Sequence, residues 1–253
     1  LEARNRELSA IYRLSETIGN ERHINRLCEK TVEEVGRTLG AGTVSILLRD
    51  EFSGDLVTAA SAGNALNGSR PRVKAGDGLL WQVMKTGKPL QLSGNRAAKP
   101  STGAKAGLSG IAAPIKTSEK TLGVIYALGS RDGREFTARE RDLLSGIGNQ
   151  AAVALDNATL YHDLENLFVG IAWSFASALD AKSPWTAGHS KRVTQFSVAI
   201  AEEMNMSPEF LHSVRTCGLL HDIGKIGISE KILDKPGAIS RAEHKTIVEH
   251  ASQ

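Results

Sequence analysis

Residues 218–237 read GLLHDIGKIGISEKILDKPG, an apolar stretch that runs straight into His221-Asp222, with Lys225 one turn further on. Leu211 and Val214 recur upstream at helical spacing, which predicts a helix with the His-Asp pair at the end of its apolar face. A carboxylate on such a face costs several kcal/mol unless it is paired or bound to metal. Asp222 therefore requires a compensating charge, and a divalent ion is the simplest one.

Working outward, Ser207-Pro208 supplies an N-cap and a first helical residue for that helix. On the helix before it, His189 continues the stripe Val193, Phe196 and Ile200, so its ring is expected to point toward the core. On the helix after it, Ser240 and Glu243 form a capping box, and His250 follows Ile247 by three residues on an inward face. Taken singly, each histidine reads as a structural residue. Taken together, with His221 beside Asp222 and Lys225 close behind, they read as a metal centre. Its mixed nitrogen and oxygen donors suit first-row transition ions, iron and manganese as well as zinc. His23, His162, His212 and His244 look like surface or interface residues without chemistry.

The residues before this region have a different rhythm. Leu1, Leu8, Ile11, Leu14 and Ile18 recur at helical spacing up to Gly19-Asn20, and a second helix is expected from about Glu21 to Leu39. Period two then takes over, with Val44, Ile46 and Leu48 on one face of a strand and a second strand near Leu56 to Ala60. A short helix over Leu79–Met84 is closed by Gly87, with Pro89 beyond it. Gly110–Lys116 and Thr121–Leu128 are expected strands around the turn Thr117-Ser118-Glu119-Lys120. The stretch Ser93–Gly107 is small, basic and poor in apolar residues, which suggests a loop. Cys28 lies at apolar helical spacing near Ile24 and Val32 and reads as a core thiol.

Thr137 and Glu140 make a capping box that starts a long helix, with no strong break before Ser183-Pro184, although Gly146, Gly148 and Gly170 weaken it. Ile147, Ala151, Ala154, Ala158, Tyr161, Leu164, Phe168, Ile171 and Phe175 step by threes and fours, the spacing of a coiled-coil seam. A parallel homodimer is one consequence. The alternative is that the stripe packs on the chain's own domains, with the part from about Phe168 set against the C-terminal helices.

Composition sets the frame. The 253 residues carry 31 Lys and Arg against 28 Asp and Glu, a net charge of +3, with 41% hydrophobic and 23% charged residues. That is a globular composition, long enough for two domains. No basic block with interleaved aromatics asks for a nucleic-acid strand. Two cysteines, Cys28 and Cys217, in different predicted domains give no disulfide framework, which points to the cytoplasm. No apolar run approaches the length of a membrane span. The start at Leu1, inside a periodic helix, suggests a piece of a longer protein.

The stretch GDGLLWQVMKTGKPLQL (residues 76–92) with the strand pair IAAPIKTSEKTLGVIYALG (residues 111–129) resembles a GAF domain, over roughly residues 20–158. That resemblance implies an α/β sensor with an antiparallel sheet and a pocket for an unidentified small ligand, or an empty packing and dimerisation domain. The Asn-Lys-x-Asp-Glu signature of the cyclic-nucleotide-binding subgroup is not seen. The run HDIGKIGISEKILDKPG with His189 and His250 resembles the HD superfamily, and most closely its HD-GYP phosphodiesterases. The chain is thus expected to be α+β. Residues 1–19 form a signalling helix, 20–158 a GAF sandwich, 137–180 a linking helix, and 168–253 the first half of an all-α HD-GYP bundle.

The HD-GYP resemblance implies two divalent ions, iron or manganese favoured and zinc admitted. His189, His221 and Asp222 would hold one, Asp222 would bridge to a second, and His250 would ligate that second ion. Asp222 and Lys225 would be catalytic, Lys225 contacting the substrate phosphate, and the implied substrate is cyclic di-GMP or a related cyclic dinucleotide. Trp185 stands where some relatives carry a Glu for a third ion. The later His-His pair, Gly-Tyr-Pro loop and final Asp of the pattern do not occur before Gln253, so little hydrolysis is expected of these residues alone. The competing readings are a non-catalytic dimerising sensor or scaffold, and an HD hydrolase of other nucleotides.

Overall fold

A computed structural model describes residues 16, 18–19, 21–63, 72–92, 109–182 and 188–252. Residues 1–15 and 17 of the helix expected over residues 1–19, the Ser93–Gly107 loop and Ser183-Pro184-Trp185 lie outside the described residues. The chain divides into two units, residues 1–162 and 163–253.

The first unit is built on a sheet of six antiparallel strands: β1 (Ala41–Arg49), β2 (Leu56–Gly63), β3 (Arg72–Val73), β4 (Leu90–Leu92), β5 (Gly110–Lys116) and β6 (Thr121–Ser130). Their order across the sheet is β3-β2-β1-β6-β5-β4. Alternation along the strands sends side chains to two cores. Ile111, Ala113 and Ile115 of β5 join Ile125 and Ala127 of β6 on the face covered by α1 (Ile24–Leu39), where Leu27, Cys28, Val32, Val35 and Leu39 are buried. Ala112, Val124, Tyr126 and Leu128 point the other way, against Leu80, Val83 and Met84 of α2 (Gly78–Thr86). α2 closes on Gly87 in the left-handed region, as its sequence predicts. Burial pushes the Cys28 thiol up to about 12, and it is a core thiol as expected.

α3 (Ala138–Lys182) is continuous over 45 residues. Its start is the predicted capping box: Glu140 accepts from the Thr137 amide at 2.8 Å, and Thr137 Oγ1 accepts from the Glu140 amide at 3.2 Å. Gly148, which weakens the helix in isolation, is required by packing. A Cβ there would lie 2.5 Å from the Pro114 carbonyl oxygen of β5. The expected seam divides differently from its sequence reading. Ile147, Ala151 and Ala158 are buried in the first unit's own core. Tyr161, Leu164, Phe168, Ile171 and Phe175 are about half exposed, and the Arg22 guanidinium lies 5.1 Å over the Tyr161 ring.

The second unit takes the end of α3, with Ala172, Ala176, Leu179 and Asp180 buried, and adds α4 (His189–Glu203) and α5 (Pro208–Leu220). A 3-10 helix (Ile223–Gly227), α6 (Glu230–Leu233), α7 (Arg241–Val248) and a terminal 3-10 turn (Glu249–Ser252) complete it. The predicted caps are present: Ser207 accepts from the Phe210 amide, and Ser240 with Glu243 forms a full capping box. The stripe expected to carry His189 inward is not buried, however. Phe196 and Ile200 are exposed, while the buried residues of α4 are Ser190, Thr194 and Ala201. Among the described residues, no helix is long and apolar enough to cross a membrane.

Candidate metal centre

Each expected ligand sits at the end of a helical element rather than in its middle. His189 is the first residue of α4, directly after Gly188, whose φ of 69° is a left-handed conformation that suits glycine. His221 is the C-terminal cap of α5, and Asp222 caps the 3-10 helix that carries Lys225. His250 lies in the terminal 3-10 turn, past the end of α7 where the sequence placed it. Ends of elements converge here because Gly224 lets them: a Cβ on it would lie 2.0 Å from the His250 carbonyl oxygen.

Asp222 is the centre of the cluster and is buried. Its Oδ2 lies 3.3 Å from His221 Nε2, 3.8 Å from His189 Nε2 and 2.7 Å from the Lys225 ammonium. Its Oδ1 faces the other way, 3.4 Å from His250 Nε2. The rings of His189 and His221 are 5.4 Å apart at their centroids. His221 Nδ1 is hydrogen-bonded to the Gly218 carbonyl at 2.9 Å, and His250 Nδ1 to the Ile247 carbonyl. A carbonyl only accepts, so those bonds place a proton on Nδ1 and leave the Nε2 lone pair on the side of Asp222, available to an ion.

Burial pushes the Asp222 carboxyl up, but the hydrogen-bonded Lys225 ammonium and the imidazoles of His221 and His189 outweigh it and hold the group below the usual carboxylate range. Asp222 is therefore an anion at neutral pH, the form a metal needs. Ligand atoms of His189, His221 and Asp222 all lie within 4.8 Å of one another. Two donors each about 2.1 Å from one ion stand about 3.0–3.4 Å apart. The His221 and His250 separations from Asp222 already match that spacing, and His189 needs to close by a few tenths of an ångström. The donor set fits divalent transition ions, with one oxygen of Asp222 turned toward each group of imidazoles.

A GAF domain model matches residues 23–155, just over half of the chain, and an HD domain model matches residues 186–253. The chain belongs to the GAF family and carries an HD domain behind the GAF domain. The GAF fold is shared with solved structures of low identity. The GAF domain of a phosphoenolpyruvate-protein phosphotransferase from Coxiella burnetii superposes with a TM-score of 0.53 at 18% identity, over 62% of this chain and 96% of that one. The free methionine-R-sulfoxide reductase of Neisseria meningitidis gives 0.53 at 17% identity, over 61% of this chain and 91% of that one.

Among characterised relatives, the 3'3'-cGAMP-specific phosphodiesterase 3 of Vibrio cholerae is 39% identical over 105 residues, 41% of this chain and 23% of that protein. The cyclic di-GMP phosphodiesterase of Thermotoga maritima is 43% identical over 67 residues, 26% of this chain and 18% of that protein. The matched part of this chain thus spans about a fifth of the length of these relatives.

Sequence reasoning missed the buried polar residues that frame the HD cluster. Asp180 of α3 accepts hydrogen bonds from the Ser190 amide at 3.2 Å and the Ser190 hydroxyl at 3.0 Å, one residue after His189. Gly218 has Thr194 Oγ1 where its Cβ would stand, at 2.8 Å. A signal existed for Asp180, which follows Ala172, Ala176 and Leu179 at helical spacing and so shares their buried face. For Gly218 and Gly224 no pattern in the sequence names the backbone that approaches them.

Proposed function

We propose that the chain is the sensor and the leading part of the catalytic domain of a cytoplasmic, metal-dependent cyclic dinucleotide phosphodiesterase of the HD-GYP kind, with cyclic di-GMP as substrate. One observation carries the reading: the two oxygens of Asp222 divide between His189 with His221 on one side and His250 on the other. A carboxylate so placed would be able to hold an ion on each side. Bound divalent ions, iron or manganese by preference, supply Lewis-acid neutralisation of a phosphodiester at neutral pH.

The protein's own residues do the rest. His189 and His221 would hold one ion with Asp222, and His250 would hold the other. The Nδ1 bonds of His221 and His250 fix those rings so that neither must reorient on binding. Lys225, at 2.7 Å from Asp222, is close enough to trade that partner for a substrate phosphate oxygen. Four ligands is a small set for two ions, and the side chains of His189 and His221 are 42% and 34% exposed, so water reaches the cluster freely. These residues alone are expected to bind metal and to hydrolyse little.

The GAF domain is the regulatory input. The Tyr126 hydroxyl is buried on the α2 face of the sheet beside its cross-strand neighbour Ser45, which is engaged with Ser61 at 2.8 Å. The output is a parallel homodimer through α3, where Tyr161, Leu164, Phe168, Ile171 and Phe175 repeat in strict three-four steps on an exposed face. That seam also supports the second reading, a dimerising scaffold without catalysis.

Metal separates the two readings. The protein is loaded anaerobically with iron or manganese, its metal content is measured, and hydrolysis of cyclic di-GMP and of 3'3'-cGAMP is assayed in the longest protein that contains these residues. Asp222→Asn is expected to lose both metal and hydrolysis. Undiminished hydrolysis by Asp222→Asn, or by His221→Ala, refutes the assignment.

A further inference from the structure

α4 opens on Gly188, which has no side chain to cap the free amides of the first turn. A group from another helix takes over. The buried carboxylate of Asp180, near the end of α3, accepts from the amide and the hydroxyl of Ser190. Its charge also suits the positive end of the α4 dipole. The contact continues toward the cluster in buried steps. Thr194 Oγ1 donates to the Ser190 carbonyl at 2.8 Å, Gly218 lies flush against Thr194, and the Gly218 carbonyl holds His221 Nδ1. Asp180, Ser190, Thr194 and Asp222 are the buried polar residues of this unit among those described.

We propose that Asp180 is a positioning residue for the metal centre: through Ser190 it sets the first turn of α4, and with it the ring of His189 against His221 and Asp222. The inference rests on the metal-centre reading for its consequence and on the ring geometry alone for its mechanism. A shift of α3 that draws Asp180 from Ser190 frees the first turn of α4 and withdraws one ligand, which makes α3 the element that tunes the cluster.

The test uses this chain with Asp180→Ala, Asp180→Asn and Ser190→Ala. Ser190→Ala removes only the hydroxyl donor and keeps the amide, so it remains informative if Asp180→Ala does not fold. Asp180→Asn keeps one acceptor oxygen and falls between. The first readout is the cross-relaxation between the His189 and His221 rings in the metal-free protein with labelled histidine. It is expected to disappear in Asp180→Ala and to weaken in the other two, with helix content unchanged.

The second readout is affinity for manganese alone, by competition with a chelator. Loss of an outer partner of a ligand costs about 10- to 100-fold, and that loss is expected in the wild-type background and absent when His189 is already alanine. Retained ring contact in Asp180→Ala and Ser190→Ala overturns the proposal, as does an equal loss of affinity with and without His189. If the wild type takes up no manganese, the metal-centre reading fails, and the ring contact still decides the role of Asp180.

Discussion

Gly224→Ala is a small substitution with a directed effect. A Cβ at that position would lie 2.0 Å from the His250 carbonyl oxygen, 2.9 Å from its carbonyl carbon and 3.2 Å from its Cα. All three are backbone atoms, so no side chain can swing aside. Restoring the ordinary van der Waals separation of 3.4 Å or more moves the terminal 3-10 turn away by well over an ångström. His250 Nε2, now 3.4 Å from Asp222 Oδ1, moves with it. Ligand constellations tolerate about 0.5 Å of misplacement, so the proposed second ion would lose its imidazole. His189, His221 and Asp222 Oδ2 lie on the far side of the carboxylate and keep their spacing. Metal analysis of wild type and Gly224→Ala after equilibration with excess manganese and gel filtration is expected to give two ions per chain falling to one. His250→Ala should give the same count. Two ions retained at wild-type affinity in Gly224→Ala would refute the argument that the turn is fixed by this contact.

The exposed seam of α3 is expected to dissociate when two of its members become charged. Phe168→Asp with Ile171→Asp should turn a dimer into a monomer by sedimentation, and a monomeric wild type would contradict the seam. The α3 capping box gives a pH effect of known sign. Arg134 hydrogen-bonded to Glu140 holds that carboxyl well below its usual 4.5, at about 2, with burial opposing and the Thr137 amide and hydroxyl assisting. The folded value is depressed, so the stability is present above about pH 4.5 and is lost as the pH falls toward 2. Discounted for solvent screening, the pair and cap together contribute about 1 kcal/mol. Glu140→Gln should lower the melting temperature of the first unit at pH 7 by about 2–4 °C. The difference should vanish near pH 2, and a pH-independent difference would count against the ion pair.

How much of this was legible in the residues depends on whether the deciding contact was local. Period two along β1, the left-handed stop at Gly87 and the capping boxes at Thr137 and Ser240 are all local patterns, and each fell where the sequence put it. The stripe on α3 is apolar as its spacing predicts, but its two halves meet different things. Ile147 and Ala158 are covered by the sheet's own helical layer, whereas Leu164 and Phe168 are not. Spacing says that a face is apolar and is silent about what lies against it.

The same distinction explains the cluster. Four side chains were found because carboxylate and imidazole on an apolar background are conspicuous, yet the background itself was misjudged. Val193 and Ile200 do not bury His189. With Met204, Phe210 and Val214 they line an open groove of about 570 Å³ that ends at His221. What brings the ring of His189 to Asp222 is instead the polar, buried side of the helix, Ser190 and Thr194 held by Asp180 and Gly218. Apolar periodicity points to the groove, and the chemistry is set from the opposite face. A carboxylate from α3 that secures the first turn of α4 makes the position of one ligand depend on a helix that contributes no ligand.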